Sequence, residues 1–194
     1  MAAKKSAFTA TELLDRSALI LSRLEELPLF QLAEQVAFYH ALPGEVQTAA
    51  FIERWYQRKR LYLPLVEGDD LRLLRYTGPD SLRKGAFGIW EPKADGEEAV
   101  EGAIDLIIVP GVAFDAQGHR LGRGRGFYDR LLSSLDTPKV GICFDFQLVS
   151  SVPVESFDHP MDHVITETKV YYATCTYTFF AKRMLLSKRK GNIQ

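Results

Sequence analysis

The sequence predicts an α/β fold: one domain built on a mixed, mostly parallel sheet flanked by helices. Three observations carry this. Ile104-Asp-Leu-Ile-Ile-Val109 and Val140-Gly-Ile-Cys-Phe144 are nearly continuous apolar runs, the pattern of strands buried on both faces. Segments of helical period alternate with strand-like runs along the chain. The length of 194 residues, with 46% hydrophobic and 25% charged, suits one soluble domain with its own core.

Each element has its own signal. Thr9 to Glu26 reads as a helix: Thr9 or Thr11 can cap it, and Leu13, Leu14, Leu21 and Leu24 recur at helical spacing before Pro28 closes it. Gln35-Val-Ala-Phe-Tyr39 is a strand, and Pro43-Gly44 a turn. Glu45 to Arg58 reads as a second helix with an acidic first turn. Leu61 to Val66 and Leu71 to Tyr76 are strands about the turn Glu67-Gly-Asp-Asp70. Gly85 to Pro92 reads as an aromatic loop and Lys93 to Glu98 as a polar one. A short helix is expected over Phe127 to Leu135, and a last strand over His163 to Thr168. Residues 1–194 form one domain on this reading. Residues 170–194 are a C-terminal extension whose basic residues, clustered in Lys182 to Lys190, make a solvated tail.

The formal net charge of −1 gives no global field toward nucleic acid or membrane, so neither is expected as a partner. No run approaches the ~20 apolar residues of a membrane span. Met1-Ala-Ala-Lys-Lys-Ser is not followed by a signal-peptide core, so a cytoplasmic protein is expected. Cys143 and Cys175 lie in apolar runs and read as buried free thiols. The four histidines, His40, His119, His159 and His163, have no metal-site spacing, although His40 closes a strand and stands near Glu45.

The chemistry concentrates in Arg120-Leu-Gly-Arg-Gly-Arg-Gly-Phe-Tyr-Asp129, between the strand ending at Val109 and the helix beginning near Phe127. Ligands of open α/β sheets bind at the carboxyl ends of parallel strands. Gly122, Gly124 and Gly126 let the backbone come close to a ligand. Arg120, Arg123 and Arg125 offer forks suited to phosphate oxygens, and the next helix offers unpaired N–H groups. It is neither a Walker A loop, which ends in Gly-Lys-Ser/Thr, nor a dinucleotide fingerprint, which would need a small residue where Phe127 stands. Asp129 is either a plain first-turn carboxylate or a Mg²⁺ ligand, with a second carboxylate from Asp158 or Asp162. Glu45 carries the same ambiguity between a helix-start carboxylate and a group facing the cleft. Tyr76, Phe87 and Trp90 read as core or as the lining of a pocket for a flat heteroaromatic ligand.

Asp105-Leu-Ile-Ile-Val-Pro-Gly-Val-Ala-Phe-Asp-Ala-Gln-Gly-His-Arg-Leu-Gly-Arg-Gly-Arg-Gly-Phe-Tyr-Asp-Arg-Leu-Leu132 closely resembles the signature of 5-formyltetrahydrofolate cyclo-ligases. Glu45-Val-Gln-Thr48, Leu61-Tyr-Leu-Pro64, Gly85-Ala-Phe-Gly-Ile-Trp-Glu-Pro92 and Val164-Ile-Thr-Glu167 match in the family's order, so the likeness spans roughly residues 12 to 168. The resemblance implies an enzyme that uses ATP and Mg²⁺ to cyclise 5-formyltetrahydrofolate, with or without a polyglutamate chain, to 5,10-methenyltetrahydrofolate. By position it implies ATP contacts at Arg120 and at Gly122, Arg123, Gly124, Arg125, Gly126, Phe127 and Tyr128. Arg123 and Tyr128 would act in catalysis. His40, Glu45, Phe87 and the stretch Arg123 to Phe127 would contact the folate, and Asp129 and Asp158 would hold Mg²⁺. A monomer is expected. Two departures stand out. The family's Lys-x-x-Leu-Arg-like element on an N-terminal helix has no counterpart in Met1 to Ala10, where only Lys4 and Lys5 are basic, and Phe127 replaces the usual Tyr. The alternative reading is therefore a nucleotide- or folate-binding relative with weak or no catalysis.

Overall fold

A computed structural model describes residues 7–85, 90–100 and 102–173. Helix α1 covers Ala10–Glu26. Thr9 caps it reciprocally: its hydroxyl accepts from Glu12 N–H, and the Glu12 carboxylate accepts from Thr9 N–H at 2.7 Å. The expected stop at Pro28 is instead a restart. With its fixed φ and no N–H to satisfy, Pro28 opens the short helix α2, Pro28–Leu32.

The strands follow as β1 (Gln35–Ala37), β2 (Arg60–Glu67), β3 (Asp70–Tyr76), β4 (Leu82–Lys84), β5 (Trp90–Pro92), β6 (Leu106–Val109), β7 (Ala113–Asp115), β8 (Arg120–Leu121), β9 (Lys139–Ile142), β10 (Leu148–Val149), β11 (His163–Ile165) and β12 (Val170–Tyr172). Helices α3 (Ala49–Trp55) and α4 (Phe127–Ser133) complete the set. The main sheet has seven strands in the order β12-β11-β9-β6-β1-β2-β3. Its five central strands are parallel, and β12 and β3 are antiparallel edges. The expected mixed, mostly parallel α/β sheet is therefore present. The Gly85 to Pro92 segment differs from the expected loop: Trp90–Pro92 pairs with Leu82–Lys84 as a two-stranded ribbon.

Strand alternation divides the core in two. Val36, Leu61, Leu106, Ile108, Val140 and Ile165 face α1, α2 and α3, packing on Ile20, Leu24, Phe30 and Phe51. Ala37, Tyr62, Ile107, Val109 and Val164 face the other way, onto Phe114, Leu131 and Leu132 from β7 and α4. Cys143 is fully buried, while Cys175 lies outside the described residues. Among the described residues no helix is long and apolar enough to cross a membrane.

The connections position the site. From β1 the chain runs through α3 to β2 on one side, and from β6 it runs through α4 to β9 on the other. The gap between the carboxyl ends of β1 and β6 is thus a topological switch point, where open parallel sheets form their ligand crevice.

Candidate functional site at the switch point

Two loops enter this gap. The first follows β1. Its fold corrects the expected helix from Glu45: helical hydrogen bonding begins only at Ala49. Polar side chains occupy the backbone before that. The Glu45 Oε2 accepts from Leu42 N–H at 2.9 Å, the Gln47 amide donates to the Glu45 carbonyl at 2.8 Å, and the Thr48 hydroxyl donates to the Tyr39 carbonyl at 2.6 Å. Glu45 is consequently a buried carboxylate, 8% exposed, held on a hydrogen-bonded turn. His40, half-buried on the same loop, has its imidazole pKa lowered by burial.

The second loop follows β6 and the β7–β8 hairpin, and carries the glycines and arginines. Arg123 reaches across the gap to Glu45: its Nη2 and Nε donate to Glu45 Oε1 at 3.0 and 3.3 Å. Arg123 remains more than half exposed, so it spans from a buried acid toward solvent. Arg120 is almost fully buried and donates to Asp129 in the first turn of α4. Gly126 opens α4 in the left-handed conformation, φ 68°, and a Cβ there would lie 2.7 Å from Arg130 Nη1. Helix α4 has only seven residues, so the arginines rather than a helix dipole dominate the local positive charge.

Tyr128 packs beneath Arg120, whose guanidinium carbon sits 5.6 Å from the ring centre. Burial, and next the Glu45 carboxylate, push its phenol far above the ordinary tyrosine range, while Arg120 pulls the other way. Tyr128 is therefore a neutral O–H at any physiological pH. Tyr39, missed from sequence, is also buried here: burial first, then Glu45 and Tyr128, raise its phenol as well. Its place at the end of a parallel strand was the available signal.

Two cavities adjoin the gap. One of about 280 Å³ is lined by His40, Ile52, Glu53, Tyr76, Leu82 and Trp90. Of the residues read as core or as pocket lining, Tyr76 and Trp90 both line it, Tyr76 being at the same time buried in the core, while Phe87 lies outside the described residues. Glu53 was not anticipated; its carboxylate accepts from the Tyr76 hydroxyl. The other cavity, about 450 Å³, is lined by Gly126, Asp129, Arg130, Ser133, Phe157 and His159. It brings Asp129 and the neighbours of Asp158 to one hollow. Asp158 is half-buried, and its Oδ2 accepts from Glu155 N–H at 2.7 Å. Asp162, the other carboxylate considered, instead accepts from Lys139 N–H at 2.7 Å at the start of β9, and burial raises its pKa. Arg125 projects from the exposed part of the loop.

The 5-formyltetrahydrofolate cyclo-ligase family model matches residues 1–167. The chain is 37% identical over 158 residues to the 5-formyltetrahydrofolate cyclo-ligase of Escherichia coli (strain K12), covering 77% of this chain and 87% of that one. It is 36% identical over 141 residues to the enzyme of that name from Haemophilus influenzae, covering 69% and 75%. Among solved structures, Aquifex aeolicus 5,10-methenyltetrahydrofolate synthetase superposes with a TM-score of 0.80 at 38% identity, covering 89% of this chain and 88% of that chain. Profile, sequence and fold thus agree over the segment that builds both loops of the gap, and the chain belongs to the 5-formyltetrahydrofolate cyclo-ligase family.

Proposed function

We propose that this chain is an ATP-dependent enzyme that closes 5-formyltetrahydrofolate to 5,10-methenyltetrahydrofolate, releasing ADP and phosphate. The observation that carries it is the meeting of Arg123, from the glycine- and arginine-rich loop, with Glu45, from the loop after β1, across the switch point. A phosphate-type device and a buried acid then face one crevice, as transfer between a nucleotide and a second ligand requires. The γ-phosphoryl group passes to the formyl oxygen as ADP leaves; N10 attacks the activated carbon and gives up its proton to solvent, and the carbon–oxygen bond breaks to release phosphate. The formyl oxygen is a weak nucleophile, so catalysis rests on positioning and charge neutralisation. Arg120, Arg123, Arg125 and the backbone from Gly122 to Tyr128 are assigned to the ATP phosphates. Tyr128, held protonated, can donate a hydrogen bond but cannot act as a base. His40, Glu45 and the cavity at Tyr76 and Trp90 are assigned to the folate, together with Phe87.

Asp129 and Asp158 are assigned to Mg²⁺. Among the described residues no group of three or more His, Cys, Asp or Glu is preassembled for a metal. Mg²⁺ commonly takes only one or two protein carboxylates beside phosphate oxygens and waters. Asp129 engages Arg120 through Oδ1, and Asp158 uses Oδ2 on its own turn. When bound, the ion would neutralise charge on the transferring phosphates. The protein is read as a cytoplasmic monomer.

The test is the appearance of methenyltetrahydrofolate absorbance on mixing 5-formyltetrahydrofolate, ATP and Mg²⁺ with the protein. Turnover that needs all three supports the reading; ATP binding without turnover would make the chain a binding protein instead. In the same assay Asp129→Asn should raise the Mg²⁺ concentration for half-maximal rate, and an unchanged Mg²⁺ dependence would remove Asp129 from the metal site.

A further inference from the structure

Asp115 is the most buried acidic residue among those described, 1% exposed, and has no role in the chemistry above. It closes β7, on the hairpin whose return strand β8 begins with Arg120. Its Oδ1 accepts from Gln117 N–H and His119 N–H, both at 3.0 Å, which shapes the hairpin turn. Its Oδ2 lies 2.9 Å from His119 Nδ1 and accepts from Val152 N–H at 3.0 Å. Val152 is outside the hairpin: it precedes the loop that carries Phe157, Asp158 and His159. Strand β10, just before it, pairs in parallel with β7.

The far end of that loop is tied to the same hairpin. Met161 N–H donates to the Gly118 carbonyl at 2.8 Å. Gly118 holds φ +89°, and a Cβ there would lie 2.3 Å from the Met161 carbonyl oxygen, so only glycine permits the approach. Between the two ties Phe157 and His159 face Asp129 across the 450 Å³ hollow. Hence one small hairpin reaches both walls: Asp129 on one side, through its partner Arg120, and the stapled loop on the other. Burial pushes the Asp115 carboxyl up, but the hydrogen bonds from Val152 and His119 outweigh it, and its pKa lies below the usual range. A charged acceptor is thus what the four contacts stabilise.

We propose that Asp115 is a positioning residue for the nucleotide half of the site, holding the Val152 to Met161 loop at its working distance from Arg120 and Asp129. The proposal rests on the assignment of MgATP to that half. Asp115 touches no substrate in this account. It acts through the loop, so its loss should register on one substrate only. A merely structural aspartate would lower stability and leave the two substrates equally affected.

The experiment compares wild type with Asp115→Asn, and with Leu24→Ala in the opposite core as a control for general destabilisation. Amide hydrogen exchange of the free protein is read first. Asp115→Asn should speed exchange at Val152 and in residues 154–159 while β6 and β9 keep their protection. Unchanged exchange in that loop would overturn the staple, whatever the protein binds. Calorimetric titration with MgATP and steady-state kinetics follow. A loss of MgATP affinity of about tenfold or more is expected, with KM for 5-formyltetrahydrofolate within about twofold of wild type. Leu24→Ala should change neither constant. Equal rises in both constants for Asp115→Asn, or none, would overturn the positioning role. Should Asp115→Asn fail to fold, His119→Ala removes only the contact to Oδ2 from a part-exposed ring, and should shift MgATP affinity in the same direction by a smaller factor; no shift would overturn the proposal. Wild type that binds no MgATP refutes the functional reading instead, and the exchange comparison still decides the staple.

Discussion

At the scale of single residues, the sequence marks the charged groups but not their partners. Arg123 and Arg125 stand out because arginines between glycines before a helix have little packing use, and Arg120 stands just ahead of them. That Arg123 donates to Glu45 is not legible, because the two lie 78 positions apart and only the neighbouring of β1 and β6 brings them together. His40 is likewise visible as a polar residue at a strand end, but its burial is a tertiary fact. That burial has a consequence for stability. The folded imidazole resists protonation, since its pKa is lowered by desolvation. Above the unfolded histidine value of about 6.5 both states are neutral and His40 costs nothing. As pH falls from there through the lower folded value, the unfolded state binds the proton first and stability is lost. Wild type should therefore lose unfolding free energy on acidification from about pH 7 to 5. His40→Gln should lose measurably less, as read from urea titrations across that window. Parallel pH profiles for the two proteins would show that His40 does not contribute.

At the scale of elements, the extent of helix α1 is legible and that of α3 is not, and the difference is local chemistry. Thr9 and Glu12 form a capping pair at fixed spacing, which is a pattern within four residues. Thr9→Ala should accordingly destabilise the protein by about 1 kcal/mol, measurable as a lowered urea midpoint with unchanged slope. A loss within error would mean that tertiary packing of Ile20, Leu21 and Leu24 alone holds the helix. The start of α3 failed because Glu45, Gln47 and Thr48 spend their side chains on nearby backbone groups and delay the helix to Ala49. Glu91 and Trp90 read as loop because a three-residue ribbon strand has too little sequence to show alternation. The β7–β8 hairpin was half legible. Asp115-Ala-Gln-Gly118 has the composition of a turn, yet its tie to Val152 depends on a contact 37 positions away.

At the scale of the whole molecule, the parallel sheet places the loop after β1 and the loop after β6 side by side, and the Glu45–Arg123 pair is the bridge between them. On the proposed function one residue belongs to the folate half and the other to the ATP half. Their direct contact makes the two halves energetically dependent, since a change at one alters the partner available to the other. Glu45 is buried and loses its guanidinium partner when Arg123 is removed, while Arg123, more than half exposed, loses its anchor when Glu45 is neutralised. Glu45→Gln alone should therefore weaken MgATP binding although Glu45 contacts no phosphate in this account, because an unanchored Arg123 must be ordered on binding. Arg123→Ala alone should weaken it more, by roughly tenfold to a hundredfold, as expected for a charge-assisted hydrogen bond. In the double variant the glutamine has no arginine left to misplace. Its effect on MgATP should then be close to that of Arg123→Ala, leaving a coupling energy of about 0.5–3 kcal/mol in a calorimetric double-mutant cycle. Effects that add to within about 0.3–0.5 kcal/mol would mean the bridge does not transmit between the halves, and that each loop binds its ligand independently.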